Sequence, residues 1–252
     1  MPEKITIIDL SMPIGNSIPD GQGMAVVYRT HRENARARAA QWGFRVEDLP
    51  EPGITTANEV VTASPHASTH LDAPYHFGPI CAGQPAKTID QVPLEWCYGD
   101  GVLLDFHRKD PGESITLEDV RDELRRIGYT LKPGDIALFR TDWDKKMHLP
   151  NAGELQPAVP AETVEWLLDQ GIRTLAIDAP SLDLPGPVSI RNLLRGDKKH
   201  FFPTHNLGRR REYIHAEKLT NLGALPRPFG FKVALFPVKI EGASGGWCRA
   251  VA

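Results

Sequence analysis

Cysteine is scarce in this sequence, and its spacing excludes two kinds of structural site. The 252 residues include only Cys81, Cys97 and Cys248, an odd number with no C-x-x-C pair. A disulfide framework needs paired cysteines, and a thiolate zinc site needs closely spaced ones. The sequence therefore predicts neither feature, and we expect the three thiols to be buried structural residues.

Long apolar runs are absent as well. A helix that spans a bilayer needs about 20 consecutive, mostly apolar residues, and no such run occurs in the chain. The opening residues, MPEKITIIDL, also lack the basic segment and following apolar segment of a secretory signal. We therefore expect a cytoplasmic protein without a membrane partner.

Neither sign of charge dominates the composition. Lys and Arg number 29 and Asp and Glu 32, which gives a formal net charge of -3 and an isoelectric point near 6.3. Because basic and acidic residues are interspersed, the chain offers no basic patch for nucleic acid or anionic lipid, and a small-molecule substrate is the expected partner. With 41% hydrophobic residues the chain can bury one large core, and we expect a single domain over residues 1–252.

Strand-like and helix-like segments alternate along the chain. Short apolar runs that favour strands occupy residues 4–10, 101–107, 135–141, 173–179 and 231–240. A helix is predicted after the capping pair Thr116 and Asp119, with Gly128 as its stop, and another between Pro160 and Gly171. This alternation predicts an α/β fold with a partly parallel sheet.

The densest group of potential metal ligands lies in the segment HASTHLDAPYH, residues 66–76. It holds His66, His70, Asp72 and His76, whereas the whole chain has only nine histidines. Imidazole nitrogen and carboxylate oxygen suit zinc, manganese or non-haem iron, while calcium and magnesium prefer oxygen ligands alone. Because two histidines and one carboxylate leave coordination positions open for water, the spacing indicates a catalytic metal site.

Two other classes of protein fit the same residues. A set of two histidines and one carboxylate also occurs in non-haem iron oxygenases, for which oxygen consumption with ferrous ion would be diagnostic. A metal-binding protein without catalysis is the third interpretation, and in it His76→Ala would change stability alone. The residues by themselves leave the three classes open.

Proline constrains the backbone around this segment. The four potential ligands are separated by even numbers of residues, so an extended chain would direct all of them to one face. Pro65 and Pro74 flank the central part and limit both regular helix and regular strand. We therefore expect an extended or looped, rigid segment that holds the ligands in place.

Residues 66–77 resemble the signature H-x-G-T-H-x-D-x-P-x-H-F of the cyclase family of metal-dependent hydrolases, which includes bacterial kynurenine formamidases and isatin hydrolases. Ser68 stands where the common pattern has glycine, so its backbone must be one that a small L-residue can adopt. The resemblance extends to residues 8–11 and 99–105, and it covers most of the chain.

The resemblance assigns roles to the clustered residues. It implies that His66, His70 and Asp72 bind one divalent ion, Zn²⁺ or Mn²⁺, and that His76 is the general acid and base. An imidazole, with an ordinary pKa near 6.5, can both accept and donate a proton at neutral pH.

A second ligand pair is also implied by the resemblance. His205 precedes Glu217 by twelve residues, the spacing that the family keeps. Asp72 and Glu217 would bridge to a second ion held also by His205, which gives one or two ions per chain. No comparable pattern surrounds the remaining histidines, which are interpreted as packed or solvated: His31, His107, His148, His200 and His215.

The resemblance further implies a fold, an assembly and a reaction. The fold is the swivelling β/β/α sandwich of the cyclase family, and the assembly is a homodimer or homotetramer. The expected reaction is hydrolysis of a C–N bond in a small aryl formamide, amide, cyclic imide or lactam by metal-bound hydroxide, as in kynurenine formamidases. Isatin hydrolase-like and lactone hydrolase activities are alternatives, since no tryptophan lies between Asp9 and His31, where kynurenine formamidases usually carry one.

Overall fold

The computed structural model describes residues 5–19, 22–110 and 112–252. The chain forms two compact units, a larger one made of residues 1–13 and 68–252 and a smaller one made of residues 14–67. The smaller unit is thus an insertion in the sequence of the larger one. The single domain expected over the whole chain stays a prediction.

The described residues of the smaller unit form a two-stranded sheet and one α-helix. Strand β1 (Ala25–Arg29) pairs antiparallel with β2 (Asn58–Thr62), and helix α1 (His31–Trp42) lies between them in sequence. Thr30 and Glu33 form a capping box that starts α1. Both strands expose most of their residues to solvent.

The described part of the larger unit has nine strands, and seven of them form its central sheet. In chain order the strands are β3 (His70–Asp72), β4 (Ile80–Cys81), β5 (Gln84–Pro85), β6 (Tyr98–Asp105), β7 (Ile136–Arg140), β8 (Thr174–Ile177), β9 (Ile214–Glu217), β10 (Lys232–Ala234) and β11 (Gly245–Trp247). The sheet has the spatial order β10-β6-β7-β8-β9-β3-β11, and β4 pairs with β5 separately. Strands β6 to β9 are parallel to one another, and antiparallel strands flank this group on both sides. The predicted α/β fold with a partly parallel sheet is therefore confirmed.

Five helices of the described chain connect these strands: α2 (Pro74–Phe77), α3 (Leu117–Ile127), α4 (Ala161–Asp169), α5 (Gly186–Leu194) and α6 (Pro203–Gly208). Thr116 and Asp119 form the predicted capping box before α3, and Gly128 ends that helix in the left-handed region at φ 70°. Helix α4 begins directly after Pro160, as predicted. Among the described residues, no helix has both the length and the apolar character needed to cross a membrane.

Both faces of the central sheet are buried. Leu104 and Phe139 lie in a core that α3 and α4 cover, whereas Leu103 and Leu138 lie in a second core on the opposite face. Successive residues of a strand point to opposite faces. The continuous apolar sequences of β6 and β7 are therefore those expected of parallel strands buried on both sides.

The strand predicted at residues 4–10 is not a regular strand. Lys4 lies outside the described residues, and of residues 5–10 only Asp9 makes a β-bridge, an isolated one to Val251. This segment pairs with the end of the chain instead of forming an edge strand of the central sheet.

The strand predicted at residues 231–240 is shorter than expected, because β10 ends at Ala234. Pro237 has no N–H to donate to a ladder, and it forms only an isolated bridge to Cys248. Proline thus limits the regular part of this strand.

All three cysteines are buried and free, as predicted. Burial raises the pKa of Cys97 and of Cys248 to about 12. Both are therefore protonated, weakly reactive thiols at neutral pH.

Candidate metal centre

Two paired strands bring four polar side chains to one face of the central sheet. In the register of β3 and β9, His70 lies opposite Glu217 and Asp72 lies opposite His215. Because alternate residues of a strand share a face, the four side chains point the same way. All four residues are buried, and the most exposed of them, Glu217, is 6% exposed.

Helix α6 adds a fifth side chain, that of His205. One donor atom each from Asp72, His205, His215 and Glu217 lies within 4.8 Å of the other three. His70 Nε2 lies 3.3 Å from Asp72 Oδ1 and 3.5 Å from Glu217 Oε2. These five residues are named the ligand cluster below. It brings together four of the predicted metal ligands and adds His215.

The imidazole of His70 is held in one orientation. Its Nδ1 lies 2.9 Å from the backbone oxygen of Ser68, and because a carbonyl oxygen only accepts, Nδ1 carries the proton of the neutral ring. Nε2 is then the nitrogen that faces the two carboxylates. Ser68 itself has φ 56°, a left-handed backbone that favours glycine and agrees with the glycine of the family pattern.

His215 is not among the predicted ligands, although the structure places it inside the cluster. Its Nε2 lies 2.6 Å from Asp72 Oδ2 and 3.3 Å from Glu217 Oε1. Burial lowers the pKa of His215, so the ring is neutral and the short contact makes Nε2 a donor to Asp72. One sequence signal could have found this residue: it stands two positions before Glu217, which in a strand places both on one face.

His76 approaches the cluster from a helix. Helix α2 begins at Pro74, which takes the first helical position, where its missing N–H removes no helical hydrogen bond. His76 Nε2 lies 3.9 Å from Asp72 Oδ2, its ring centre lies 5.2 Å from that of His205, and 31% of its side chain is exposed. The extended or looped backbone expected for this segment is confirmed for His70 and Asp72, which lie in a strand, and is wrong for His76, which lies in a helix.

His66 belongs to the smaller unit, in a turn close to the end of that unit. Its backbone N–H donates to Ser64 Oγ over 3.1 Å, and the residue is half-buried. The role of His66 as a metal ligand stays a prediction from the sequence.

The ligand cluster has the donors and the unsatisfied atoms of a cation site. Glu217 Oε1 and His215 Nδ1 are buried, and within the described part of the chain neither has a hydrogen-bond partner. Burial, together with the negative charge of Asp72, raises the pKa of Glu217 well above its ordinary value. A divalent cation would neutralise the two carboxylates and take up the lone pair of Glu217 Oε1. Mixed nitrogen and oxygen donors suit zinc or manganese.

A serine nucleophile does not fit the local structure. Residues 242–246 have the G-x-S-x-G spacing of a nucleophile elbow. An elbow requires a strand-to-helix turn that exposes the serine, whereas strand β11 begins directly after Ser244. The carbonyl of Ser244 accepts a hydrogen bond from Ala73 N at 2.9 Å. This segment is therefore a turn that enters a strand.

Comparison with known families and proteins gives two kinds of relative. The family described as "Putative cyclase" matches residues 8–184. The kynurenine formamidase of Erythrobacter litoralis is 34% identical over 192 residues, which cover 76% of this chain and 74% of that protein. The kynurenine formamidase of Delftia acidovorans is 27% identical over 142 residues, which cover 56% of this chain and 59% of that protein.

Solved structures share the fold. An isatin hydrolase bound to the product analogue thioisatinate has a TM-score of 0.74 at 20% identity, covering 97% of this chain and 90% of that one. Isatin hydrolase A from Ralstonia solanacearum has a TM-score of 0.74 at 21% identity, covering 98% of this chain and 90% of that one. A protein described as a novel cyclase has a TM-score of 0.76 at 21% identity, covering 98% of this chain and 88% of that one. These likenesses confirm the fold expected from the resemblance.

Proposed function

Because the chain belongs to the cyclase family and is a metal-dependent hydrolase, we propose that it hydrolyses a C–N bond in a small aryl formamide, amide, cyclic imide or lactam. The observation that carries this proposal is the buried ligand cluster with the partly exposed His76 beside it. Such an arrangement combines a place for divalent cations with a group that can exchange protons with a substrate.

We propose Zn²⁺ or Mn²⁺ as the metal, with one or two ions per chain. His66, His70 and Asp72 are the proposed ligands of one ion. Asp72 and Glu217 are proposed to share a second ion with His205. The contacts of His70 Nε2 with both carboxylates, at 3.3 and 3.5 Å, support a compact centre.

When bound, a divalent ion supplies Lewis acidity, which polarises a carbonyl group and lowers the pKa of water from ~16 to about 7. The chain itself contributes the orientation of the donor atoms. The Ser68 carbonyl fixes the ring of His70, and His215 fixes the carboxylate of Asp72. These contacts hold the donors in place before a substrate arrives.

His76 is the proposed general acid and base. Its ring is accessible, with 31% of the side chain exposed, and lies next to the cluster. The neutral ring accepts a proton from the attacking water, and the imidazolium then donates that proton to the departing nitrogen, which returns the ring to its starting state. Proton transfer of this kind contributes roughly 10²–10⁴-fold to the rate.

Formamide hydrolysis, as in kynurenine formamidases, is the first candidate reaction, because curated relatives carry that name. Isatin hydrolase-like opening of a cyclic imide or lactam is the second. The absence of tryptophan between residues 9 and 31 favours this second candidate, since it removes the stacking group expected for formylkynurenine. Lactone hydrolysis is the neighbouring ester case.

The test uses purified protein that is stripped by a chelator and then reconstituted with zinc or manganese under anaerobic conditions. We expect turnover of N-formylkynurenine or of isatin to disappear on stripping and to return with metal. Turnover that persists in metal-free protein would contradict the metal dependence. Turnover restricted to a lactone would contradict C–N bond cleavage.

The same samples test the two other classes. The cluster has a second carboxylate, that of Glu217, whose Oε2 lies 3.5 Å from His70 Nε2. Iron oxygenases use two histidines and only one carboxylate, so this cluster has one acidic ligand more than that set. Oxygen consumption with ferrous ion would favour an oxygenase, and anaerobic turnover would exclude it. Tight metal binding without any turnover would favour a non-catalytic protein.

We also propose that the chain forms a homodimer or homotetramer. In the smaller unit, Val27 and Val60 pair across β1 and β2 and are 58% and 50% exposed on one face, while Tyr28 and Val61 are 60% and 43% exposed on the other. Exposed apolar side chains of this kind are typical of an interface. Light scattering that gives the mass of one 27.9 kDa chain would contradict the proposal. The cytoplasmic location and the absence of nucleic-acid and membrane partners stay predictions.

A further inference from the structure

We propose that Asp183 is a positioning residue that selects the metal-binding form of His205. The inference rests on the proposed function, since it takes His205 to be a metal ligand. Asp183 lies in the loop between β8 and α5, and its side chain is 0% exposed. A buried carboxylate requires hydrogen-bonded partners, and those of Asp183 lie on the helix that carries His205.

Both carboxylate oxygens of Asp183 bind the start of α6. Oδ2 lies 2.6 Å from His205 Nδ1 and accepts from the backbone N–H of His205 at 3.2 Å. Oδ1 accepts from the backbone N–H of Thr204 at 2.8 Å. The ring of His205 and the backbone beneath it are therefore fixed by the same group, and the ring cannot turn without losing a charge-assisted hydrogen bond.

This contact decides which nitrogen of His205 can bind a metal. An ionised carboxylate only accepts hydrogen bonds, so the proton of the neutral ring lies on Nδ1. Nε2 then keeps its lone pair. Because His205 contributes a donor atom to the ligand cluster, Asp183 leaves Nε2 as that donor, the arrangement of a carboxylate–histidine–metal triad.

The loop that carries Asp183 is itself held in place. Gln156 Nε2 donates to the backbone oxygen of Ser181 at 2.8 Å and to that of Asp183 at 2.6 Å. The backbone N–H of Asp183 donates to Ser181 Oγ at 3.1 Å. Gln156 is only 3% exposed, so these bonds lie away from competing water. The carboxylate is thus positioned by the fold of the chain.

The same arrangement occurs at a second histidine of the cluster. The Ser68 carbonyl holds Nδ1 of His70, as Asp183 holds Nδ1 of His205. Both rings therefore offer Nε2. In His215 it is Nε2 that is hydrogen-bonded, to an oxygen of Asp72. The two proposed ligands, His70 and His205, share a protonation pattern that His215 lacks. The role of His215 in this arrangement is to orient the carboxylate of Asp72.

The form of the His205 ring can be measured directly by NMR of metal-free wild-type protein labelled with ¹⁵N-histidine, at a pH high enough to keep the ring neutral, because the contact with Asp183 raises its pKa. We expect the neutral ring to be protonated on Nδ1, and the signal that is missing from His205→Ala identifies the residue. A neutral ring protonated on Nε2 would overturn the proposal. This measurement needs neither metal nor substrate.

Asp183→Asn tests the consequence for metal binding. Asparagine keeps an acceptor for the N–H of Thr204, but its amide NH₂ faces His205 and favours the opposite tautomer. We expect the protonated Nε2 form to appear and the zinc affinity, measured by competition with a chromophoric chelator, to fall about 10- to 100-fold. As the matched control, Asp197→Asn removes a 2.6 Å contact with the exposed His200 and should leave zinc affinity unchanged.

The outcomes separate this inference from the proposed function. Unchanged zinc affinity in Asp183→Asn, with wild-type protein that binds zinc and hydrolyses substrate, would overturn the inference alone. Wild-type protein that binds neither zinc nor manganese would overturn both. If Asp183→Asn does not fold, the wild-type NMR spectrum still decides the tautomer of His205.

Discussion

His215 and Asp72 face each other across β9 and β3, with His215 Nε2 2.6 Å from Asp72 Oδ2. The same register places His70 opposite Glu217. The backbone ladder of the sheet thus fixes both pairs. Because a slip of one residue in a strand turns its side chains to the other face, the metal centre depends directly on the pairing of these two strands.

Replacing His215 with alanine should weaken both the fold and the metal site. The change removes a donor to Asp72 and leaves a cavity at a fully buried position. We expect the free energy of unfolding in urea to fall by about 2–4 kcal/mol, and zinc affinity to fall about 10-fold.

His107→Ala is the control for this variant. It breaks a contact of the same length, 2.6 Å to Asp105, at a position where 31% of the histidine side chain is exposed. Partly exposed polar contacts of this kind contribute about 0–1 kcal/mol, so we expect a small loss of stability and no change in zinc affinity. Equal effects in the two variants would contradict the importance of the contact with Asp72.

Glu217 should make the metal-free protein less stable as pH rises. Burial and the charge of Asp72 raise its pKa well above the ordinary value of 4.5. A carboxyl whose pKa is higher in the folded than in the unfolded chain holds its proton more tightly when folded, so stability declines as pH rises from about 4.5 towards the folded pKa. Metal is expected to reverse this effect, because it binds the ionised form.

Glu217→Gln provides the measurement for that pH dependence. Its metal-free form should melt at a higher temperature than metal-free wild type at pH 7, and it should gain less stability from zinc. Thermal unfolding with and without zinc at several pH values checks both statements. If the variant responds to zinc as wild type does, Glu217 is not a ligand.

Ser68 allows a comparison of two substitutions at one strained position. Its φ of 56° lies in the left-handed region, and its Oγ donates to Met12 O at 2.9 Å and to Pro13 O at 3.1 Å. Glycine and alanine both remove the hydroxyl, but only glycine relieves the backbone strain, by about 1 kcal/mol. We expect Ser68→Gly to be more stable than Ser68→Ala by that amount in urea unfolding, and the reverse order would show that the strain is negligible.

The local part of the site could be predicted from the sequence. His70 and Asp72 alternate within a short segment, and a strand then places both on one face. Helix α3 follows directly from the capping signals of Thr116 and Asp119 and from the stop at Gly128. In each case the information lies within a few residues of the structure that it specifies.

The long-range part could not be predicted in the same way. The contact of His215 with Asp72 joins residues 143 positions apart, and that of Asp183 with His205 joins residues 22 positions apart. A hydrophobic pattern shows that a strand exists but not which strand pairs with it in which register. His205 could therefore be predicted as a site residue only from its twelve-residue spacing to Glu217, which matches a known family.

The most direct test of metal-dependent hydrolysis at this centre compares turnover and metal content in wild type and His76→Ala. We predict that the variant retains its metal while turnover falls by roughly 10²–10⁴-fold, because a proton-transfer group is lost and the ligand cluster is intact. His148→Ala, at an exposed position, should match wild type in both respects. Full turnover in His76→Ala, or active wild-type protein that carries no metal, would contradict the central claim.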